Sequence, residues 1–162
     1  MSPEASNAGA DRRRLLIVHH TPSPKVDTLV EAVIEGASTP DIEGVDVNVR
    51  AALSASAADV LGAHGYVLVT PANLGYMSGG LKTFFDTIYY PCLRETQGRP
   101  YGLLVHGNDD VDGAINSVAK IVKGLGWQQV SQPVRCVGDP SSNDRDAAWE
   151  LGATVAANLM TD

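Results

Sequence analysis

A short polar segment follows the first apolar run of the chain, and its residues have the types that hold a phosphate: Thr21, Pro22, Ser23, Pro24, Lys25 and Val26. The segment combines hydroxyl groups and an ammonium group directly before a stretch with helical periodicity. The free backbone N–H groups and the positive dipole end of a helix N-terminus both attract an anion. This segment therefore predicts an anion site at the beginning of a helix.

Five apolar or β-branched segments predict the strands that position this site. Three of them are continuously apolar, as in strands buried on both faces of a sheet, and they cover residues 15–18, 66–69 and 102–105. The segment 45–49 alternates with polar residues, so we expect it at an edge of the sheet. The segment 130–137 contains Pro133, which predicts an edge strand or a bulge there.

Segments with helical periodicity separate these strands. The clearest runs from Val26 to Ala37, with apolar residues at i, i+3, i+4, i+7, i+8 and i+11. The same spacing recurs in 81–88 and 115–122, a short helix is expected at 57–61, and a final helix is expected at about 144–159. Alternating strands and helices predict a doubly wound α/β domain with a parallel sheet, because right-handed crossovers lay the helices on both faces. Ligands of such sheets bind outside the carboxyl ends of the strands, which here lead into the loops 19–26, 70–78 and 106–113.

The composition sets the class of protein. With 162 residues, of which 44% are hydrophobic and 19% charged, the chain has the size and apolar content of one globular domain, predicted at 13–162 after a disordered tail at 1–12. No apolar run approaches the roughly 20 residues of a membrane helix. A net charge of −7 without a basic stripe argues against a general nucleic-acid binder. Two isolated cysteines form neither a disulfide framework nor a metal motif, and they indicate a reducing, cytoplasmic location.

The first loop excludes four common families of doubly wound proteins. It lacks the G-x-G-x-x-G fingerprint of dinucleotide-binding domains and the G-x-x-x-x-G-K-[ST] motif of phosphate-binding loops. Receiver domains need acidic residues where His19 and His20 stand, and a phosphorylated aspartate where Thr70 stands. Low-molecular-weight phosphatases need a cysteine and an arginine in this loop, and neither is present.

The second loop, TPANLGYMSGGLKTFFDTIYYP at residues 70–91, resembles the flavodoxin family and its flavodoxin-like NAD(P)H-dependent FMN reductases. Members of this family carry a hydroxyl-rich phosphate loop after the first strand and a similar TP…G-x-MSG-x-LK-x-FFD segment after the third. The resemblance covers nearly all of residues 14–160. It implies a flavodoxin-like five-stranded parallel sheet with strand order 2-1-3-4-5.

The resemblance also implies FMN as the cofactor, held at the ends of the first, third and fourth strands. The phosphate is then expected to be surrounded by Thr21, Pro22, Ser23, Lys25 and Val26. The ribityl chain and one side of the flavin ring are expected at Pro71, Ala72, Asn73, Leu74, Gly75, Tyr76 and Met77. The other edge of the ring is expected at His106, Gly107, Asn108 and Asp109. Glycines, small residues and an aromatic side chain are the types that let a flavin approach and stack.

The phosphate loop departs from the family pattern at two positions. The family usually carries glycine where Pro24 stands and a hydroxyl residue where Val26 stands. Proline has no N–H group to donate, and valine has no hydroxyl. Proline suits the first turn of a helix, so the fold is unaffected, but we expect FMN to bind with only micromolar affinity.

Several of these residues also have purely structural interpretations. His19 and His20 end a buried strand and are expected to pack rather than to catalyse. Ser78 is interpreted as an N-cap, and the two glycines that follow it either let a helix begin close to the sheet or contact the ligand directly. Asp109 and its acidic neighbours are interpreted as a solvated turn and not as a metal site.

Three functional classes remain open at this point. An electron-transfer flavoprotein would hold FMN permanently and dock a redox partner protein through its acidic surface. An NAD(P)H-dependent FMN or quinone oxidoreductase would leave room over the flavin for nicotinamide and would usually form a homo-oligomer. A degenerate member of the family would have lost FMN. In the first two classes the flavin does the chemistry, and no side chain is predicted to be catalytic.

Overall fold

The computed structural model describes residues 12–161. Most of the predicted tail, residues 1–11, and the final residue lie outside the described part of the chain. Seven strands and five helices follow one another as β1 (Arg13–His19), α1 (Pro24–Ala37), β2 (Val45–Ala51), α2 (Ala57–Gly62), β3 (Gly65–Asn73), β4 (Tyr76–Met77), α3 (Gly79–Cys92), β5 (Pro100–Gly107), α4 (Asp112–Leu125), β6 (Gln128–Gln129), β7 (Val134–Val137) and α5 (Ser142–Ala157). All five predicted helices are therefore confirmed, with bounds shifted by a few residues.

The strands form a parallel sheet in the spatial order β2-β1-β3-β5-β6, with β7 also parallel to β5. This is the predicted flavodoxin-like order, because β4 belongs only to a small antiparallel hairpin on β3. The chain reverses its direction of winding between β1 and β3. The carboxyl ends of these two strands and of β5 therefore meet at the edge where doubly wound folds bind ligands.

The fifth strand, predicted at 130–137, is not one continuous strand in the structure. Two short strands, β6 and β7, pair with opposite ends of β5, and the residues between them, including Pro133, lie outside the ladder. Proline has no N–H group to donate to a neighbouring strand, which accounts for the break in the strand pairing between β6 and β7.

The core has two layers, one on each face of the sheet. Alternate residues of β1 show the division, since Leu16 and Val18 pack beneath α2, α3 and α4 while Leu15 and Ile17 pack beneath α1 and α5. Phe84 and Phe85 of α3 are 1% exposed, as their helical spacing predicts. Both cysteines are free and buried.

Two glycines allow α1 and α5 to pack with their backbones in direct proximity. A Cβ atom on Gly36 would lie 1.9 Å from the carbonyl oxygen of Trp149, and one on Gly152 would lie 2.1 Å from the carbonyl oxygen of Val33. This reciprocal contact fixes α1 against its neighbour. It thereby fixes the position of the helix N-terminus that faces the predicted anion site.

Candidate functional site

The three loops predicted from the sequence converge on one open cleft of about 290 Å³ at the carboxyl edge of the sheet. Its walls come from the first loop, from the end of β3 and from the end of β5. The lining residues are Pro22, Ser23, Lys25, Val26, Pro71, Ala72, Asn73, His106, Gly107 and Asn108. A small-molecule site usually has roughly 300–1,000 Å³, so this cleft can enclose part of a cofactor and leaves the rest exposed.

The N-terminus of α1 forms one end of the cleft. Pro24 occupies its first turn and has no N–H group, while the N–H of Val26 donates to the Ser23 hydroxyl at 3.5 Å as a helix cap. The N–H of Lys25 has no acceptor within residues 12–161, so it is available to an anion. The Val26 side chain is fully buried in the core, and only its backbone can face a ligand.

The ammonium group of this first loop is already paired. Lys25 Nζ lies 2.8 Å from Asp139 Oδ1, and the two side chains are 45% and 89% exposed. The hydrogen bond from Lys25 lowers the pKa of Asp139 below its ordinary value. An ion pair as exposed as this one is screened by solvent and contributes little to stability, yet it places a carboxylate beside the end of the cleft that is suited to phosphate.

Asp139 belongs to a fourth loop that the sequence analysis missed. Gly138, with φ at +78°, turns the chain after β7, and its N–H donates to the carbonyl of Gly107 at 2.8 Å. The buried ring of His106 donates from Nε2 to the Gly138 carbonyl oxygen at 2.7 Å, because a carbonyl oxygen can only accept. The signal in the sequence was the Gly-Asp-Pro turn at 138–140, directly after the last strand.

The second loop is a β-hairpin and not an open loop. β3 continues to Asn73 and pairs with β4, and the two tip residues, Leu74 and Gly75, have φ values of +51° and +77°. Two positive φ values are the geometry of a tight hairpin turn, in which a leucine is unusual. The Leu74 side chain is fully exposed at this tip.

The structure does not bring every predicted residue to the cleft. Tyr76 is 41% exposed and lines a different cavity, against α4. Met77 is buried in the core, and its N–H donates to the Ser117 hydroxyl at 3.2 Å. Thr21, Leu74, Gly75 and Asp109 belong to the three loops, but none of them lines the cleft.

The two histidines at the end of β1, His19 and His20, pack against neighbouring residues. His19 Nδ1 lies 2.5 Å from the Thr21 hydroxyl, and burial lowers the pKa of this ring. The His20 ring packs against Gly80, where a Cβ atom would lie 3.1 Å from it. The Ser78 hydroxyl accepts from the N–H of Leu81 at 3.1 Å, which confirms Ser78 as the N-cap of α3.

The donors of the cleft fit FMN. At one end, the Lys25 N–H, the Ser23 hydroxyl and the Lys25 ammonium match a phosphate. Two carboxamides, Asn73 and Asn108, also line the cleft and can bond to hydroxyls or to ring carbonyls. The first loop offers few backbone donors, which agrees with the two departures noted in its sequence.

Comparison with known proteins supports this interpretation. The sequence model of the family described as NADPH-dependent FMN reductase matches residues 21–139. A flavodoxin from Aquifex aeolicus is 30% identical over 86 residues, which are 53% of this chain and 45% of that protein, so the match spans about half the length of the curated relative.

Solved structures share the fold. A flavodoxin from the domain Archaea has a TM-score of 0.78 at 17% identity, covering 90% of this chain and 98% of its own. A WrbA-like flavodoxin from Agrobacterium tumefaciens has a TM-score of 0.74 at 18% identity, covering 91% and 97%. The family match includes every residue that lines the cleft. The chain therefore belongs to the NADPH-dependent FMN reductase family and is an FMN-binding protein with a flavodoxin-like fold.

Proposed function

We propose that this chain is an FMN-dependent electron-transfer protein whose flavin lies in the cleft formed by the first loop and the ends of β3 and β5. One observation carries the proposal. Every residue that lines this cleft is among those for which the sequence resemblance implies contact with FMN. Residues from three separate segments of the chain thus meet around one space, at the edge of the sheet where ligands bind.

Each part of the cleft has a distinct task in this proposal. The Lys25 N–H and the Ser23 hydroxyl hold the phosphate, and Asn73 and Asn108 orient the ribityl chain and the ring. Gly107 lets the ring approach the backbone of β5 closely. When bound, FMN supplies the redox chemistry, and the surrounding charges and donors tune its potential. The net charge of −7 favours docking of a cationic redox partner.

NADPH-dependent reduction of this flavin is the second candidate, and two observations favour it. The family match covers the cleft. None of the described residues that line the cleft is Phe, Tyr or Trp, so one face of a bound ring would stay open to nicotinamide. Buried free thiols fit a cytoplasmic location for either function. Among residues 12–161, no helix has the length and hydropathy to cross a bilayer.

Anaerobic reduction of the FMN-saturated protein separates these functions. For an electron-transfer protein we expect dithionite to bleach the flavin and NADPH to leave it oxidised over minutes. Bleaching by NADPH within seconds assigns the reductase function instead, and the same measurement with NADH gives its coenzyme preference. A flavin that is not bound at saturating protein, as judged by its unquenched fluorescence, would overturn both functions.

The Lys25–Asp139 pair leads to a prediction about phosphate binding. Asp139→Asn frees the Lys25 ammonium and removes a carboxylate next to the phosphate end of the cleft. The pair is exposed and screened by salt, so we expect FMN to bind about two- to fivefold more tightly at low ionic strength. Titration calorimetry with FMN and with riboflavin, which has no phosphate, measures the effect.

Two controls accompany this variant. Riboflavin affinity should not change, and Asp41→Asn, an exposed carboxylate beyond the far end of α1, should leave FMN affinity within error. An equal gain for FMN and riboflavin would show that the phosphate does not lie beside Lys25.

A further inference from the structure

A second cavity of about 420 Å³ lies between the β3–β4 hairpin and α4. Its wall contains the ring of Tyr76 and the side chain of Ile121, and its rim carries Lys82 of α3 and Lys120 of α4. It is larger than the cleft assigned to FMN, and no part of the proposed function uses it. The hairpin separates the two spaces, because Asn73 lines the cleft and Tyr76 lines the cavity.

The cavity is built by one stripe of α4. Gly113, Ser117 and Lys120 lie on the same helix face, at spacings of four and three residues. A Cβ atom on Gly113 would lie 2.0 Å from the carbonyl oxygen of Gly75, so the helix and the hairpin tip are in backbone contact there. One turn later the Ser117 hydroxyl accepts from the N–H of Met77 at 3.2 Å and donates to the Ala114 carbonyl at 2.8 Å. These contacts hold the hairpin on the helix and leave space beyond them.

The charge of the cavity is opposite to that of the molecule. The chain carries a net charge of −7, yet the cavity has two lysines and no acidic residue in its lining. Lys82 is paired with Asp86 at 2.5 Å, whereas Lys120 forms no ion pair with any residue from 12 to 161. The Asn116 carboxamide, one turn before Lys120, adds a neutral donor and acceptor at the same rim.

We propose that this cavity binds an aromatic anion, a planar ring that carries a phosphate or a carboxylate. The ring would lie against Tyr76 and Ile121, which offer an aromatic face and an aliphatic face. The anionic group would lie at the rim, where the Lys120 ammonium and the Asn116 amide can donate to it. Such a ligand would sit on the opposite side of the hairpin from the flavin. The site goes beyond the proposed FMN function and does not require it.

The experiment titrates the FMN-saturated protein with four probes and follows the backbone amides by NMR. Adenosine 2′-monophosphate carries both the ring and a phosphate, and 1-naphthoate carries a ring and a carboxylate. Adenosine supplies the ring without an anionic group, and inorganic phosphate supplies the anionic group without a ring. We expect saturable binding of one or both ringed anions, with shifts confined to residues 74–77, 82 and 113–121, and binding at least fivefold weaker for each half alone.

A charge reversal tests the rim. Lys120→Glu should weaken binding of the ringed anion at least fivefold and leave FMN affinity unchanged. Tyr76→Ala should also weaken binding of the ringed anion. Lys123→Glu is the matched control, since it changes an exposed lysine of the same helix that does not line the cavity. Which ringed anion binds distinguishes a nucleotide-like ligand from an aromatic acid.

Three results would overturn the site. The first is the absence of saturable binding of either ringed anion, and the second is inorganic phosphate binding as tightly as the ringed anions do. The third is an equal loss of affinity for the ringed anion in Lys120→Glu and Lys123→Glu. If FMN itself does not bind, the same titration is run on the free protein. Shifts at 113–121 then support the cavity, and shifts only at 22–26 and 106–108 refute it, independently of the flavin function.

Discussion

Replacing Gly107 with valine is expected to reduce FMN affinity at least a hundredfold while the fold remains intact. Gly107 is the last residue of β5 and lines the cleft. A Cβ atom there would lie 2.9 Å from Val111 Cγ1 and 3.4 Å from the Ala72 Cβ. The two further methyl groups of valine must displace both neighbours, of which Ala72 lines the cleft from β3 and Val111 is a buried residue of the loop after β5. Titration of flavin fluorescence gives the affinity.

Gly107→Ala is the graded control for this prediction. Its single methyl group meets the end of the Val111 side chain, which can turn aside, so we expect FMN affinity to fall only a few-fold. Circular dichroism and thermal melting of both variants show whether the fold has survived. If the valine variant folds and still binds FMN within threefold of the original protein, the β5 end of the cleft does not hold the flavin.

Gly152→Ala is expected to give a large loss of stability from the addition of a single methyl group. The new Cβ would lie 2.1 Å from the carbonyl oxygen of Val33 and 3.0 Å from the N of Ala37, so it collides with the backbone of α1 and not with a movable side chain. Overpacking of this kind costs about 1–3 kcal/mol, or more where nothing can yield. Against this loss, alanine in place of glycine stabilises a helix by up to about 1 kcal/mol. We expect a net loss of about 2 kcal/mol, which lowers the Tm by about 4–8 °C for a chain of this length.

Gly79→Ala provides the comparison for this stability prediction. It adds the same methyl group to the first residue of α3, where nothing lies within 4 Å of the new Cβ atom. Its Tm should stay the same or rise slightly. Equal melting temperatures for Gly152→Ala and the original protein would mean that α1 and α5 are not in backbone contact in solution.

The sheet and its ligand edge could be predicted from the sequence because both depend on regular patterns. Continuous apolar runs such as 15–18 and 66–69 report burial on both faces of a sheet, and helical spacing reports the crossovers. Once the strand order was set, topology alone placed the ends of β1, β3 and β5 together. This is why the residues at those ends meet in one cleft.

Details that depend on tertiary contacts could not be predicted in this way. The pairing of Lys25 with Asp139 joins residues 114 positions apart, and no local pattern marks it. Tyr76 lies next to cleft residues in sequence, but strands alternate their side chains between two sides, and the hairpin directs this ring toward α4. The break between β6 and β7 depends on which N–H groups face β5, and the position of Pro133 only hinted at it.

The central claim is that one FMN binds in the three-loop cleft with its phosphate at the N-terminus of α1. The most direct test is a calorimetric titration of the flavin-free protein with FMN and with riboflavin at two salt concentrations. We expect one FMN site of micromolar affinity that weakens as salt rises, and weaker riboflavin binding that salt hardly changes. Equal affinities of FMN and riboflavin at both salt concentrations, or no saturable FMN binding at millimolar concentrations, would contradict the claim.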